Sequence, residues 1–202
     1  MTATDEATTG PDGDGRHARS RRSREAVLDA FLDEVVEQGT WPSVDAVAAR
    51  AGVSPRSVFR HFGDLAGLVD AAITRQVERL VPLAELPAHD PSLAGRIDAL
   101  VASRAVLHEA ATPIQRVVQL ARRSAPGLDQ QLRVGGDLSR AQVEWLFAPE
   151  LDALEPVERQ ERIAALDLAT SWLAWSQLRD SQRLDVDASA AAIRRLVTGI
   201  LR

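Results

Sequence analysis

The sequence predicts an all-α protein of about nine helices, a small N-terminal unit followed by a larger bundle. Three observations lead there. Apolar residues recur at i, i+3, i+4 and i+7 through most of the chain. Serine, proline and glycine stand where such stretches should begin and end. No segment alternates apolar and polar residues as a half-buried strand would. With 202 residues and 45% apolar content, the chain can fill a sizeable core without disulfides.

Residues 1–19 are expected to be a disordered leader and basic arm, acidic and rich in Gly, Thr and Asp before an Arg run begins. In the first helix, about 20–38, Leu28, Phe31, Leu32, Val35 and Val36 form one stripe, and Gly39 ends it in a left-handed turn. Ser43 caps a two-turn second helix with Val44, Val47 and Ala48 on one face, stopped by Gly52. Ser54 caps the third helix, about 55–61, and Pro55 suits its first position, where a missing N–H is no loss. The fourth, from Asp64 to about Leu80, is expected to bury Leu65, Leu68, Val69, Ala72 and Ile73. Pro82 and Pro87 mark the connection beyond it, giving a first domain at 20–81 and a second at 82–202.

Further helices are predicted near 92–110, 112–123, 126–147, 157–179 and 188–201, parted by Pro113, Pro126, Pro149 and the polar "RDSQRLDVD". Gly135 and Gly136 interrupt the 126–147 stretch, as at a bend or a cavity.

Composition excludes several functions. Without cysteine there is no thiolate chemistry, which fits a reducing cytoplasm, the expected location. Neither a signal peptide nor a membrane span is legible. Four scattered histidines lack metal-ligand spacing, and phosphate loops and nucleophile elbows are absent, so no metal, cofactor or enzymatic activity is expected. The net charge of −5 hides an uneven distribution. All 24 basic residues are Arg, and five of them (Arg16, Arg19, Arg21, Arg22, Arg24) fall within nine residues.

Two short helices joined by a glycine turn, at "AARAGVSPRSVFRHF", make a helix-turn-helix, whose second helix enters the DNA major groove. The N-terminus of that helix, at Ser54, favours phosphate. Arg56 and Arg60 share a face and suit guanine or phosphate, while Ser57 and His61 suit phosphate oxygens. The basic arm at 16–24 is a candidate for further DNA contact, against the reading of a solvated charge run.

The stretch 26–72 resembles the DNA-binding domain of the tetracycline-repressor (TetR) family of transcriptional regulators. The likeness rests on Ala48, Ala51, Gly52, Val53 and Ser54, on Phe59 with His61 and Phe62, and on the aliphatic helix after Asp64. It implies phosphate contacts at Ser43, Ser57 and His61, with Pro55, Arg56 and Arg60 nearest the bases. Phe59 stands where the family often has Tyr and Leu65 where Lys is frequent, which removes two backbone contacts. The family's architecture also implies a homodimer, usually a repressor, that binds a palindromic operator and is released by a small molecule.

Within 157–179, Ile163, Leu166, Thr170 and Leu173 fall on one side and Ala165, Leu168, Trp172 and Trp175 nearly opposite, so two apolar partners are expected. One is the bundle core. The other is the same helix of a second subunit, joined by Ile193, Leu196, Val197 and Ile200 of the last helix. Aromatic Trp145 and Trp172, with His108, Gln115, Gln119 and Thr170, are candidates to line an effector cavity. The alternative is an all-helical ligand-binding protein or enzyme without DNA affinity.

Overall fold

In the computed structural model, residues 12–86, 90–121 and 126–202 are described; they form ten α-helices and no strand. These are α1 (Asp12–Gln38), α2 (Val44–Ala51), α3 (Pro55–Phe62), α4 (Leu65–Leu80), α5 (Leu93–Ala121), α6 (Pro126–Leu146), α7 (Ala148–Leu151), α8 (Pro156–Ala169), α9 (Trp172–Ser176) and α10 (Val186–Ile200). A 3₁₀ turn follows α4 at Val81–Ala84, and a π turn follows α9 at Gln177–Ser181. The chain divides into two compact units, one ending at Arg75 and the other starting at Gln76, within α4. Among the described residues, no helix is long and apolar enough to cross a membrane.

The N-terminal unit is built on α1, whose Val27, Leu28, Phe31, Leu32 and Val35 are buried with Val47 and Ala48 of α2, Val58 of α3, and Leu68 and Ala72 of α4. Trp41 packs on Phe31 with ring centres 5.5 Å apart. Two expected core members face outward instead: Val36 is 52% exposed and Leu65 43%. α1 also starts at Asp12, so residues 12–19, expected to be disordered, are helical. Arginine is a good helix former, and the packed part of α1 supplies the nucleus that an isolated segment would lack. The rest of the expected leader, residues 1–11, lies outside the described residues.

In the C-terminal unit, Ile97, Leu100 and Val101 of α5 meet Val143 and Leu146 of α6, Leu151 of α7, Ile163 and Leu166 of α8, Trp175 of α9, and Ile193 and Val197 of α10. Three sequence expectations fail here. Pro113 does not separate two helices but lies inside α5. It deprives the Glu109 carbonyl of its helical donor, and buried Ile114, Val117 and Val118 hold the following turns in place. Gly135 and Gly136 do not break α6; an added Cβ at either would meet nothing within 4 Å. The stretch 157–179 is not one helix: α8 stops at Ala169, and Ser171 caps a new start by accepting from the Ala174 amide at 3.2 Å.

Candidate nucleic-acid interface

Local chemistry fixes the turn between α2 and α3. Gly52 adopts φ 67°, its N–H donates to Ala49 O at 3.3 Å, and the Val53 N–H donates to Ala48 O at 3.0 Å. This double closure needs a residue at ease in the left-handed region, hence glycine. Ser43 and Ser54 cap α2 and α3 by accepting from the amides of Ala46 and Ser57, each at 3.2 Å. The Ser54 and Ser57 hydroxyls also pair with each other at 3.0 Å. Arg50 then ties α2 to α1, its Nη1 donating to Glu34 at 2.7 Å and to Glu37 at 2.8 Å. These hydrogen bonds raise the Arg50 pKa and lower that of Glu37.

α3 is strongly two-sided. Val58 points into the core, while Pro55, Arg56, Phe59 and Arg60 are exposed. Phe59 is 47% exposed and lies on this outer face between the two arginines. Gly63 ends α3 at φ 81°, and Gly67 lets α4 pass close to it: a Cβ on Gly67 would lie 2.2 Å from the Phe62 carbonyl oxygen.

His61 is half-buried, with Nε2 enclosed and unpartnered, so any phosphate contact falls to its other ring nitrogen. Burial lowers its pKa, as do the charges of Arg60 and Arg24. The Arg24 guanidinium lies over the Phe62 ring at 5.1 Å. Sequence reasoning assigned no role to Arg50 or to the stacking of Arg24, because both depend on contacts between helices.

The family described as bacterial regulatory proteins of the tetR family matches residues 27–72, which span the turn and both of its helices. Residues 27–72 form a TetR-family helix-turn-helix domain. Three solved structures are similar in fold. A transcriptional regulator from Rhodococcus sp. Rha1 is 22% identical, with a TM-score of 0.71 over 88% of this chain and 95% of its own. A TetR-like transcriptional regulator from Rhodococcus sp. RHA1 is 21% identical, with a TM-score of 0.59 over 89% and 93%. A tetR-family transcriptional regulator from Streptomyces coelicolor is 17% identical, with a TM-score of 0.65 over 90% and 80%. No curated protein matches the sequence.

The TetR-like DNA-binding unit thus holds all eight of the expected contact residues on or beside α2 and α3. The C-terminal candidates fare unevenly. Of the expected subunit interface, Trp175, Ile193 and Val197 are fully buried in the protomer's own core and have no surface to offer a partner. For Trp175 the cause is the break at Thr170 and Ser171: it resets the helical phase, so Trp175 turns inward and Leu173 turns outward to 55% exposure. Leu168 and Leu196 are 65% and 51% exposed, and Ala165, Trp172 and Ile200 are partly accessible.

Among the effector candidates, His108, Thr170 and Trp172 come together. His108 Nε2–H donates to Thr170 O at 2.9 Å, and Trp172 Nε1 donates at 3.0 Å to Thr112 Oγ1, which in turn donates to the His108 carbonyl at 2.6 Å. Gln115 and Gln119 lie half-buried about two and three turns further along α5. Trp145 is 57% exposed on α6, on the surface rather than around an enclosed space.

An open cleft of about 290 Å³ lies between the Pro113 region of α5 and the π turn, and none of the expected effector residues lines it. Its charges are already paired: Arg179 Nε with Glu109 at 2.9 Å and Arg116 Nη2 with Asp180 at 2.5 Å. The pairing with Arg179 holds the Glu109 carboxyl below its usual range. Among the described residues, no group of three His, Asp or Glu could hold a metal ion.

Proposed function

We propose that this chain is a homodimeric repressor of the TetR family that binds a palindromic operator through residues 43–61 and leaves it when a small-molecule effector binds the C-terminal unit. The observation that carries the reading is the division of α3, with Val58 buried and Arg56, Phe59 and Arg60 presented outward from a glycine-closed turn. Such a helix offers two guanidinium groups for guanine edges and an aromatic ring for a thymine methyl. A single helix of 8 residues reads too few base pairs to be selective, which favours two copies on one operator. Leu168 and Leu196 supply exposed apolar surface on α8 and α10 for the second copy.

Release requires the effector to bind the DNA-free form more tightly than the bound form. The reading places the protein with its operator in the cytoplasm and gives it no catalytic role. Selection from a random duplex pool with purified full-length protein tests it. A palindrome with two half-sites is expected; recovery at the non-specific level by folded protein would contradict it.

A further inference from the structure

Arg104, on α5, is 1% exposed. Its Nη2 donates to Gln142 Oε1 at 2.9 Å and reaches the Ser139 carbonyl at 3.5 Å, both on α6. Nε and Nη1 are buried without any partner, which leaves three of the five guanidinium N–H donors unused. Cores rarely hold such a group, because a buried charge with unpaired donors is costly unless an opposite charge meets it.

The surrounding protein does not supply that charge at hydrogen-bonding distance. Asp167 acts on Arg104 electrostatically but forms no ion pair with it among the described residues. Burial also pushes the Asp167 carboxyl up, against the opposing pull of Arg140 and Arg104, while Asp137 pushes it further the same way. His108, one helical turn along α5, is kept neutral by burial and by the Arg104 charge, and its single N–H is committed to the Thr170 carbonyl. The neighbouring positions along α5, Leu100, Val101 and Ala105, are buried and apolar.

We propose that Arg104 is the anchor for the carboxylate of a small organic acid bound inside the C-terminal unit. The three free donors call for an acceptor, and a buried cation calls for that acceptor to be anionic. With the Asp167 carboxyl already acting on Arg104, a single negative charge fits better than the two of a phosphate monoester. The apolar positions beside Arg104 suit a hydrocarbon body. This inference rests on the proposed regulator and names the chemistry of its effector, yet its test involves no DNA, so either can fail while the other stands.

The test is thermal unfolding of the full chain with benzoate and hexanoate as probes, against benzamide and hexanamide at matched ionic strength. The carboxylates are expected to raise the midpoint by several degrees and the amides to leave it unchanged, as for a ligand that binds only the folded state. R104M removes the unpaired charge and keeps the volume, so it is expected to unfold at or above the wild-type temperature without ligand and to lose the carboxylate shift. R104Q serves the same comparison should the methionine variant misfold. Equal behaviour of acids and amides, or a carboxylate shift that survives either substitution, would overturn the proposal.

Discussion

The Arg24 guanidinium stacks over the ring of Phe62, 5.1 Å from its centre, and so pins the basic segment of α1 to the end of α3. Upstream, Arg19, Arg21 and Arg22 are exposed on the same helix. The unit's ion pairs, Arg50 with Glu34 and Glu37 and Arg75 with Asp29, leave these three without a carboxylate among the described residues. From Arg24 back to Arg19 the helix advances about 7.5 Å, at roughly 1.5 Å per residue. An exposed cationic segment of that length beside α3 is suited to phosphates flanking the operator.

Replacing Arg19, Arg21 and Arg22 by Ala is therefore expected to weaken DNA binding without changing the preferred sequence. The slope of log affinity against log salt should flatten by about 0.9 for each phosphate that the variant no longer neutralises. Affinities measured over a salt series decide the matter, and an unchanged slope would reduce the run to a solvated charge cluster.

The two glycines around α3 are expected to respond differently to alanine. At Gly52 a Cβ meets nothing within 4 Å, so G52A suffers only the left-handed backbone, about 1–2 kcal/mol. At Gly67 the Cβ would collide with the Phe62 carbonyl, and the α3–α4 junction must shift. Urea midpoints should fall further for G67A than for G52A; the reverse order would mean that α4 can move aside.

Stability should depend on pH through His108, whose burial lowers its pKa to about 4. The unfolded chain binds this proton near 6.5 and the folded chain does not, so the contribution is complete above 6.5 and is lost as pH falls toward 4. It amounts to about 3 kcal/mol across that window. H108Q can still donate to the Thr170 carbonyl and does not titrate, so the fall in unfolding free energy between these pH values should shrink by that amount. A variant with the wild-type pH profile would remove His108 as the cause.

Leu168 and Leu196 test the proposed subunit contact. Each is more than half exposed, so L168E and L196E together should cost the protomer little, within about 0.5 kcal/mol per site. Sedimentation should then report a monomer with weakened operator binding. A wild-type chain that already sediments as a monomer would sink the dimer reading.

Much of the N-terminal unit was legible because its signals are local. Ser43, Gly52, Ser54 and Pro55 act on backbone groups within a few residues, and the caps form where those residue types stand. The C-terminal unit yielded less, since long-range packing decides it. Pro113 reads as a boundary until the burial of Ile114, Val117 and Val118 is known, and the phase reset at Ser171 inverts the expected faces of Leu173 and Trp175. Arg104 was invisible for the same reason: an arginine in "VASRAVLHEA" reads as solvated until α6 is seen to close over it with Gln142.

The central claim is that the outward face of α3 reads DNA, and the most direct measurement is the affinity of wild type and an R56A, R60A double variant for the selected operator and for a scrambled duplex at one salt concentration. Each arginine that reads a guanine should contribute about 1–3 kcal/mol of discrimination. The double variant is then expected to bind both duplexes nearly alike. A variant that still prefers the operator as strongly as wild type would contradict the claim.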